Sequence, residues 1–197
     1  MSFLKKLFGK HTKKETIAHH PQLVEKESLY PKLPKENNKH IIGLIQAHKS
    51  ITYFNYDFVV EWAIELIRSG NETPNILMLA SFGPPIYALE IRPYIIAVLK
   101  DLGLEETQGD EAVLAAIRYY TTEILSGHST RKNLRTLFDL CNQNDYGFEL
   151  MPFYLLYYAW DDLTGGYYNS YYNGATLDNI EAILKKEAEN WLAKHHE

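Results

Sequence analysis

Residues 58–70 read FVVEWAIELIRSG. Phe58, Val59, Trp62, Ala63, Leu66 and Ile67 recur three and four apart, the spacing that lines one face of an α-helix. A half-buried strand would alternate every second residue instead, and that pattern is missing here. Ser69-Gly70 supplies a stop, because glycine readily takes the left-handed backbone that closes a helix at its C-terminus. Glu61 and Glu65 are four apart and so share a helix face, and Arg68 lies three beyond Glu65. A carboxylate pair can do acid–base chemistry when its surroundings split the two pKa values. The apolar stripe claims Trp62 and Leu66, so the Glu61/Glu65 face is expected to be solvated.

The same period extends to both sides. Ile41, Leu44, Ile45 and His48 predict a helix upstream. Thr73-Pro74 opens a short one with Ile76, Leu77, Leu79 and Ala80, proline being well placed in a first turn. Gly83-Pro84-Pro85 breaks the chain. A further stripe follows with Ile91, Tyr94, Ile95, Val98, Leu99 and Leu102, ending at Gly103. Pro93 predicts a kink or a new start near Arg92.

Downstream the pattern recurs. Asp110 is placed to cap a helix carrying Val113, Leu114, Ile117, Tyr120, Ile124 and Leu125, which stops at Ser126-Gly127. A short helix with Leu134, Leu137, Phe138 and Cys141 comes next, then a turn-rich break over Asn142 to Gly147. Pro152 opens a helix that is apolar on nearly all sides, with Phe153, Leu156, Tyr157 and Trp160, which predicts a central place in the domain. Thr176 is placed to cap a last helix with Ile180, Ile183, Leu184, Ala188 and Trp191.

Residues 64–70, IELIRSG, echo residues 122–127, TEILSG, and Pro93 and Pro152 fall in corresponding helices. A duplicated unit of about 58 residues would read this way, each copy burying its face on the next. The fold class expected is all-α: an antiparallel bundle or a stacked, HEAT-like helical array of about seven to nine helices. The expected subrepeats cover 55–104 and 110–165, and the C-terminal helix 176–194. One helical domain would span 39–197, preceded by an arm over 1–38.

The bulk numbers agree with one domain. The chain has 197 residues, 46% of them hydrophobic and 23% charged, enough for one sizeable core and short for two. The net charge of -5 disfavours nucleic-acid binding, which needs a basic face. Residues 1–40 hold nine Lys and four Glu, so +5, leaving -10 on the other 157. With one cysteine, Cys141, there is no disulfide framework and no cysteine-based metal site. No apolar run reaches the length of a membrane span or a secretory signal, so the cytoplasm is the expected location.

The arm has sparse, aperiodic apolar residues and several prolines, and is expected to be extended or flexible. Phe3, Leu4, Leu7 and Phe8 beside Lys5 and Lys6 offer a membrane-surface contact or simply a frayed end. The pairs His19-His20 and His195-His196 cannot share a helix face, which argues against a metal site. No GxSxG, P-loop, GxGxxG, HExxH or EF-hand loop is present, so no catalytic residue, cofactor or metal is assigned. Cys141 lies on an apolar stripe and is expected to be buried and inert. His128, beside Gly127, is expected to be a polar cap or a surface residue.

The compositional anomaly is tyrosine. Eight of the fifteen lie between Tyr146 and Tyr172. Tyr154, Tyr157 and Tyr158 belong to the helix after Pro152 and are expected in the core. Tyr167, Tyr168, Tyr171 and Tyr172 sit in GGYYNSYYNG, residues 165–174. That polar loop has the Tyr, Ser, Gly and Asn usage of adaptable recognition surfaces, unless its rings fold back on the last helix. Asp161 and Asp162, at the end of a helix, oppose its dipole. They either bond to a nearby backbone N–H or cation, or recognise a cationic partner.

The run YLLYYAWDDL, 154–163, followed by YYNGATLDNIEAILKKEAENWL, 171–192, resembles small all-helical bacterial proteins, some of them encoded near secreted toxins. The phrase from Ile67 to Ala80 resembles the same group. The resemblance covers about two-thirds of residues 55–195 and carries no catalytic motif. It implies an immunity-type or other protein-binding role. The expected function is therefore a non-enzymatic module that binds another protein, a basic one, through Asp161, Asp162, Tyr167, Tyr168, Tyr171 and Tyr172. The alternatives are a small-molecule or sugar binder, or a hydrolase, using the same cluster as a pocket, and a membrane adaptor using residues 2–14. The oligomeric state is left open.

Overall fold

The structure, a computed structural model, describes residues 38–195. The basic arm, its Phe3–Phe8 segment and His19-His20 lie outside the described residues, and so does His196. Among the described residues eight helices run in order: α1 (Asn38–Gln46), α2 (Asp57–Arg68), α3 (Pro74–Ala80), α4 (Ala88–Asp101), α5 (Gly109–Leu125), α6 (Thr130–Gln143), α7 (Met151–Thr164) and α8 (Ile180–Lys194). No strand occurs among the described residues, so the fold is all-α.

Local signals set many of the helix ends. The Thr73 hydroxyl accepts a hydrogen bond from the Ile76 N–H at 3.2 Å, and Pro74 follows at the first helical position. α2 and α5 end alike. Asn71 N–H donates to the Leu66 carbonyl and Gly70 N–H to Ile67, while His128 donates to Glu123 and Gly127 to Ile124. Each pair is a Schellman closure, and Gly70 and Gly127 have the positive φ it needs, 90° and 76°.

Other ends differ from the sequence reading. Asp110 is not the cap of α5: the helix begins at Gly109, and Asp110 stands in its first turn, where a negative charge suits the dipole. Thr176 does not cap α8, which begins four residues later at Ile180. Instead the Thr176 carbonyl accepts from the N–H groups of Asn179 and Ile180 in the turn before it. Pro93 starts no helix. It sits inside α4, which already begins at Ala88. Pro93 is therefore sixth in its helix and Pro152 second, so the two prolines are not at equivalent points. α6 is not short, with fourteen residues.

Packing follows chain order within two runs, α2–α3–α4 and α5–α6–α7. α5 lies at the centre, packed against α1, α6 and α8, and nine of its seventeen residues are buried. Phe58 meets Tyr119 edge to face, with centroids 5.6 Å apart, and so joins α2 to α5. Burial pushes the hydroxyls of Tyr119 and Tyr120 well above the ordinary tyrosine range.

The central helix is therefore α5 and not α7. α7 packs on α6 and α8, with Phe153, Leu156 and Ala159 as its fully buried residues, and Tyr154, Tyr157 and Tyr158 are half-buried. Its all-round apolarity covers a ring cluster at the surface. Glu61 is corrected too. It is 1% exposed, and only Glu65 reaches solvent, where it pairs with Arg68. Cys141 is buried, and burial raises its thiol pKa, as an inert core residue requires.

Candidate functional site

The helix α7 and the loop after it carry seven of the eight clustered tyrosines, all but Tyr146. α7 ends in another Schellman closure. Tyr167 N–H donates to the Asp162 carbonyl at 2.8 Å and Gly166, at φ 75°, to Leu163. That turn throws the chain away from the helix at Tyr167. Asn169 then holds the following residues: its Oδ1 accepts from Tyr171 N–H at 3.0 Å and Tyr172 N–H at 3.1 Å, and its Nδ2 donates to the Tyr172 carbonyl at 2.7 Å. The loop is pinned at both ends by its own backbone chemistry.

Between those pins the four tyrosines separate. Tyr172 is half-buried, and its hydroxyl donates to Glu187 on α8 at 2.7 Å. Burial, together with that carboxylate, pushes the hydroxyl up to about 12. Tyr171 stacks on Tyr158 of α7, centroids 4.9 Å apart. Tyr167 and Tyr168 protrude, 72% and 90% exposed. The Tyr167 ring passes so close to Gly165 that a Cβ there would lie 2.8 Å from two ring carbons. Gly165 thus leaves the space that this ring occupies, while its own φ of -76° suits any residue.

The acids also separate. Asp161 is exposed and pairs with Arg131 of α6 at 3.0 Å. Asp162 is half-buried, and its carbonyl serves the closing turn. The reading in which a nearby cation offsets these acids thus has a partner for Asp161.

Beside the loop lies an aromatic sheet that sequence reasoning placed in the core. Phe138 of α6 stacks on Tyr154 at 5.0 Å, and Tyr154 meets Tyr158 and Tyr146 edge-on at 5.2 and 5.3 Å. Arg135 lies over Phe138 and Tyr157, 5.3 and 5.0 Å from their centroids, and its Nη1 donates to the Tyr157 hydroxyl. Bonds to Tyr157 and Asp139 hold the Arg135 pKa above its ordinary value. Tyr146 is held there by a left-handed link: Asp145, Tyr146, Phe148 and Glu149 have φ of 50°, 61°, 57° and 54°. Such backbone costs roughly 1 kcal/mol or more per non-glycine residue. It is tied down by Trp191, whose indole N–H donates to the Phe148 carbonyl at 2.9 Å, and by Lys194 on Glu149.

A separate cavity of about 510 Å³ lies between α1 and α5. Ile42, Gly43, Leu114 and Ala115 line it, with Lys39, Glu111 and Arg118 also on its wall. A signal for it was present in sequence: Gly43 faces Ala115, and a Cβ on Gly43 would sit 3.5 Å from the alanine methyl. Small residues on two facing helices leave room between larger neighbours. None of Asp161, Asp162 or the loop tyrosines lines it. His128 is exposed at the α5–α6 turn, 3.9 Å from Glu123. Among the described residues no group of three His, Cys, Asp or Glu is set to hold a metal ion, and no helix is long and apolar enough to cross a membrane. Comparison of the chain with protein families, curated proteins and solved structures finds no match.

Proposed function

We propose that this chain is a non-enzymatic protein-binding module, and that its partner docks on the 161–172 loop and the aromatic sheet beside it. One observation carries this reading. Tyr167 and Tyr168 are consecutive and exposed, at 72% and 90%, on a loop whose ends are fixed. Rigid, exposed tyrosines give large contact area at little cost in side-chain entropy, which is why binding surfaces favour them. A pocket would instead enclose them and turn their hydroxyls inward. The acidic body, -10 beyond residue 40, favours a basic partner by steering its approach. A toxin neutralised in the cell that makes it is the partner class we favour, on the expectation that the sequence resemblance of residues 154–163 and 171–192 to small helical bacterial proteins raises.

Affinity capture from the native host tests the reading, with wild-type, Tyr167→Ala and Tyr168→Ala baits compared at low and moderate salt. A protein held by the wild type and lost from both variants supports it. A partner retained equally by all three baits, or no partner at either salt, overturns it.

A further inference from the structure

α4 is apolar on two opposite faces, and the fold covers one of them. Ile91, Ile95, Val98 and Leu99 are buried, all at 1% exposure or less. Leu89, Pro93 and Ile96 recur at i, i+4 and i+7, which places them within roughly 60° of one another on the far side of the helix. All three are exposed, Leu89 at 85%. α3, packed beside α4, also exposes apolar side chains, Leu77 and Met78 at 48% each. A helix at the edge of a helical array ordinarily turns a polar face outward. An apolar stripe in that place marks an interface.

We propose that this stripe pairs with the same stripe of a second copy of the chain, α4 against α4 and antiparallel, to form a two-fold homodimer. The occupant follows from the charges flanking the stripe. Glu90 stands near the N-terminal end of α4 and Lys100 near its C-terminal end, both exposed. An antiparallel pair centred between Pro93 and Ile96 sets Leu89 on the aliphatic stem of Lys100 from the other copy. It sets Glu90 within one residue of that same ammonium. Pro93 meets Ile96. A two-fold axis repeats each contact, so the patch complements itself in shape and in charge. A parallel pairing would oppose Glu90 to Glu90 and Lys100 to Lys100.

Sedimentation equilibrium of the full chain over the micromolar range tests this, with circular dichroism to verify that each variant is folded. The wild type is expected to dimerise, and Ile96→Glu to be monomeric. Glu90→Lys, by setting two like charges at both ends, is expected to weaken the dimer about tenfold. The double variant Glu90→Lys/Lys100→Glu is expected to restore it. A wild type that stays monomeric throughout overturns the proposal, whatever else covers α4. So does a dimer that Ile96→Glu leaves intact, or a double variant no tighter than Glu90→Lys alone.

Discussion

Tyr171 lies nearly flat on Tyr158, with ring centroids 4.9 Å apart and planes 24° apart. This stack fastens the exposed loop to α7, and through Tyr158 to the rings of Tyr154 and Phe138. The loop tyrosines therefore have two duties. Tyr171 and Tyr172 anchor, while Tyr167 and Tyr168 are left to the solvent side.

That division predicts different outcomes for neighbouring tyrosines. Tyr171→Ala should lower stability by about 1 kcal/mol, the worth of an aromatic pair. Tyr168→Ala should change it by less than about 0.5 kcal/mol, as for an exposed side chain without fixed contacts. Urea unfolding of both variants checks this. Equal losses would mean that Tyr168 packs in solution, and the division would fail.

Gly165 bears on the orientation of Tyr167 rather than on the fold. With a methyl group 2.8 Å from two ring carbons, Gly165→Ala must swing the ring aside. Stability should stay within about 0.5 kcal/mol of wild type, since alanine suits the backbone there. Affinity for the captured partner should fall several-fold, because a preoriented aromatic anchor has been lost. Unchanged affinity would show that the Tyr167 ring needs no such support.

The two matched helix ends make a backbone prediction. Gly70 and Gly127 both sit at strongly positive φ. Gly70 has no atom within 4 Å of where a Cβ would stand, and Gly127 has only the tip of Lys185 at 3.7 Å. Alanine at either site meets no steric block, so its cost is the left-handed backbone alone, about 1 kcal/mol. Asparagine, which tolerates that region, should cost less at both. Thermal melts of the four variants measure this. A much larger loss at one glycine would mean that the two ends are not equivalent.

These same glycines show what the sequence made legible. The stop at Gly70, the helix opening at Thr73-Pro74 and the buried stripe of Ile91, Ile95, Val98 and Leu99 are local chemistry, and they appear where spacing and turn residues put them. Glu61 was misplaced because spacing tells which residues share a face, not how many neighbours cover the helix. α7 was misplaced for the opposite reason. A helix apolar all round can be central, or can lie near the surface with its rings covering one another, as Phe138, Tyr154 and Tyr158 do. The anchoring of Tyr172 needed Glu187, fifteen residues away on another helix, and no period reports that. The exposure of Tyr167 and Tyr168 was closer to reach, since Gly165-Gly166 and Asn169 fix the loop by local bonds.

His48 gives the fold a dependence on pH. It is fully buried after α1, among Phe54, Tyr56 and Glu106. Its Nδ1 lies 2.9 Å from the Ile45 carbonyl and so donates, which leaves the lone pair of Nε2 in the neutral ring facing a Glu106 oxygen at 3.4 Å with no hydrogen bond between them. Burial pulls the His48 pKa below its ordinary 6.5. The Ile45 bond and Glu106 oppose that pull without cancelling it, and Lys49 and Arg92 add to it. The folded pKa is thus lower than the unfolded one, so below about 6.5 the unfolded chain binds the extra proton. Stability from His48 is full above that pH and is lost as pH falls through the folded pKa. The carboxylates of Asp101 and Glu149 are also shifted down, but from ordinary values of 3.8 and 4.5, so they act in a more acid window. Urea midpoints should therefore drop between about pH 7 and pH 5 in the wild type and stay flatter in His48→Gln, despite its lower starting stability. A wild-type midpoint that rises on acidification, or an equal slope in the variant, would remove His48 as the cause.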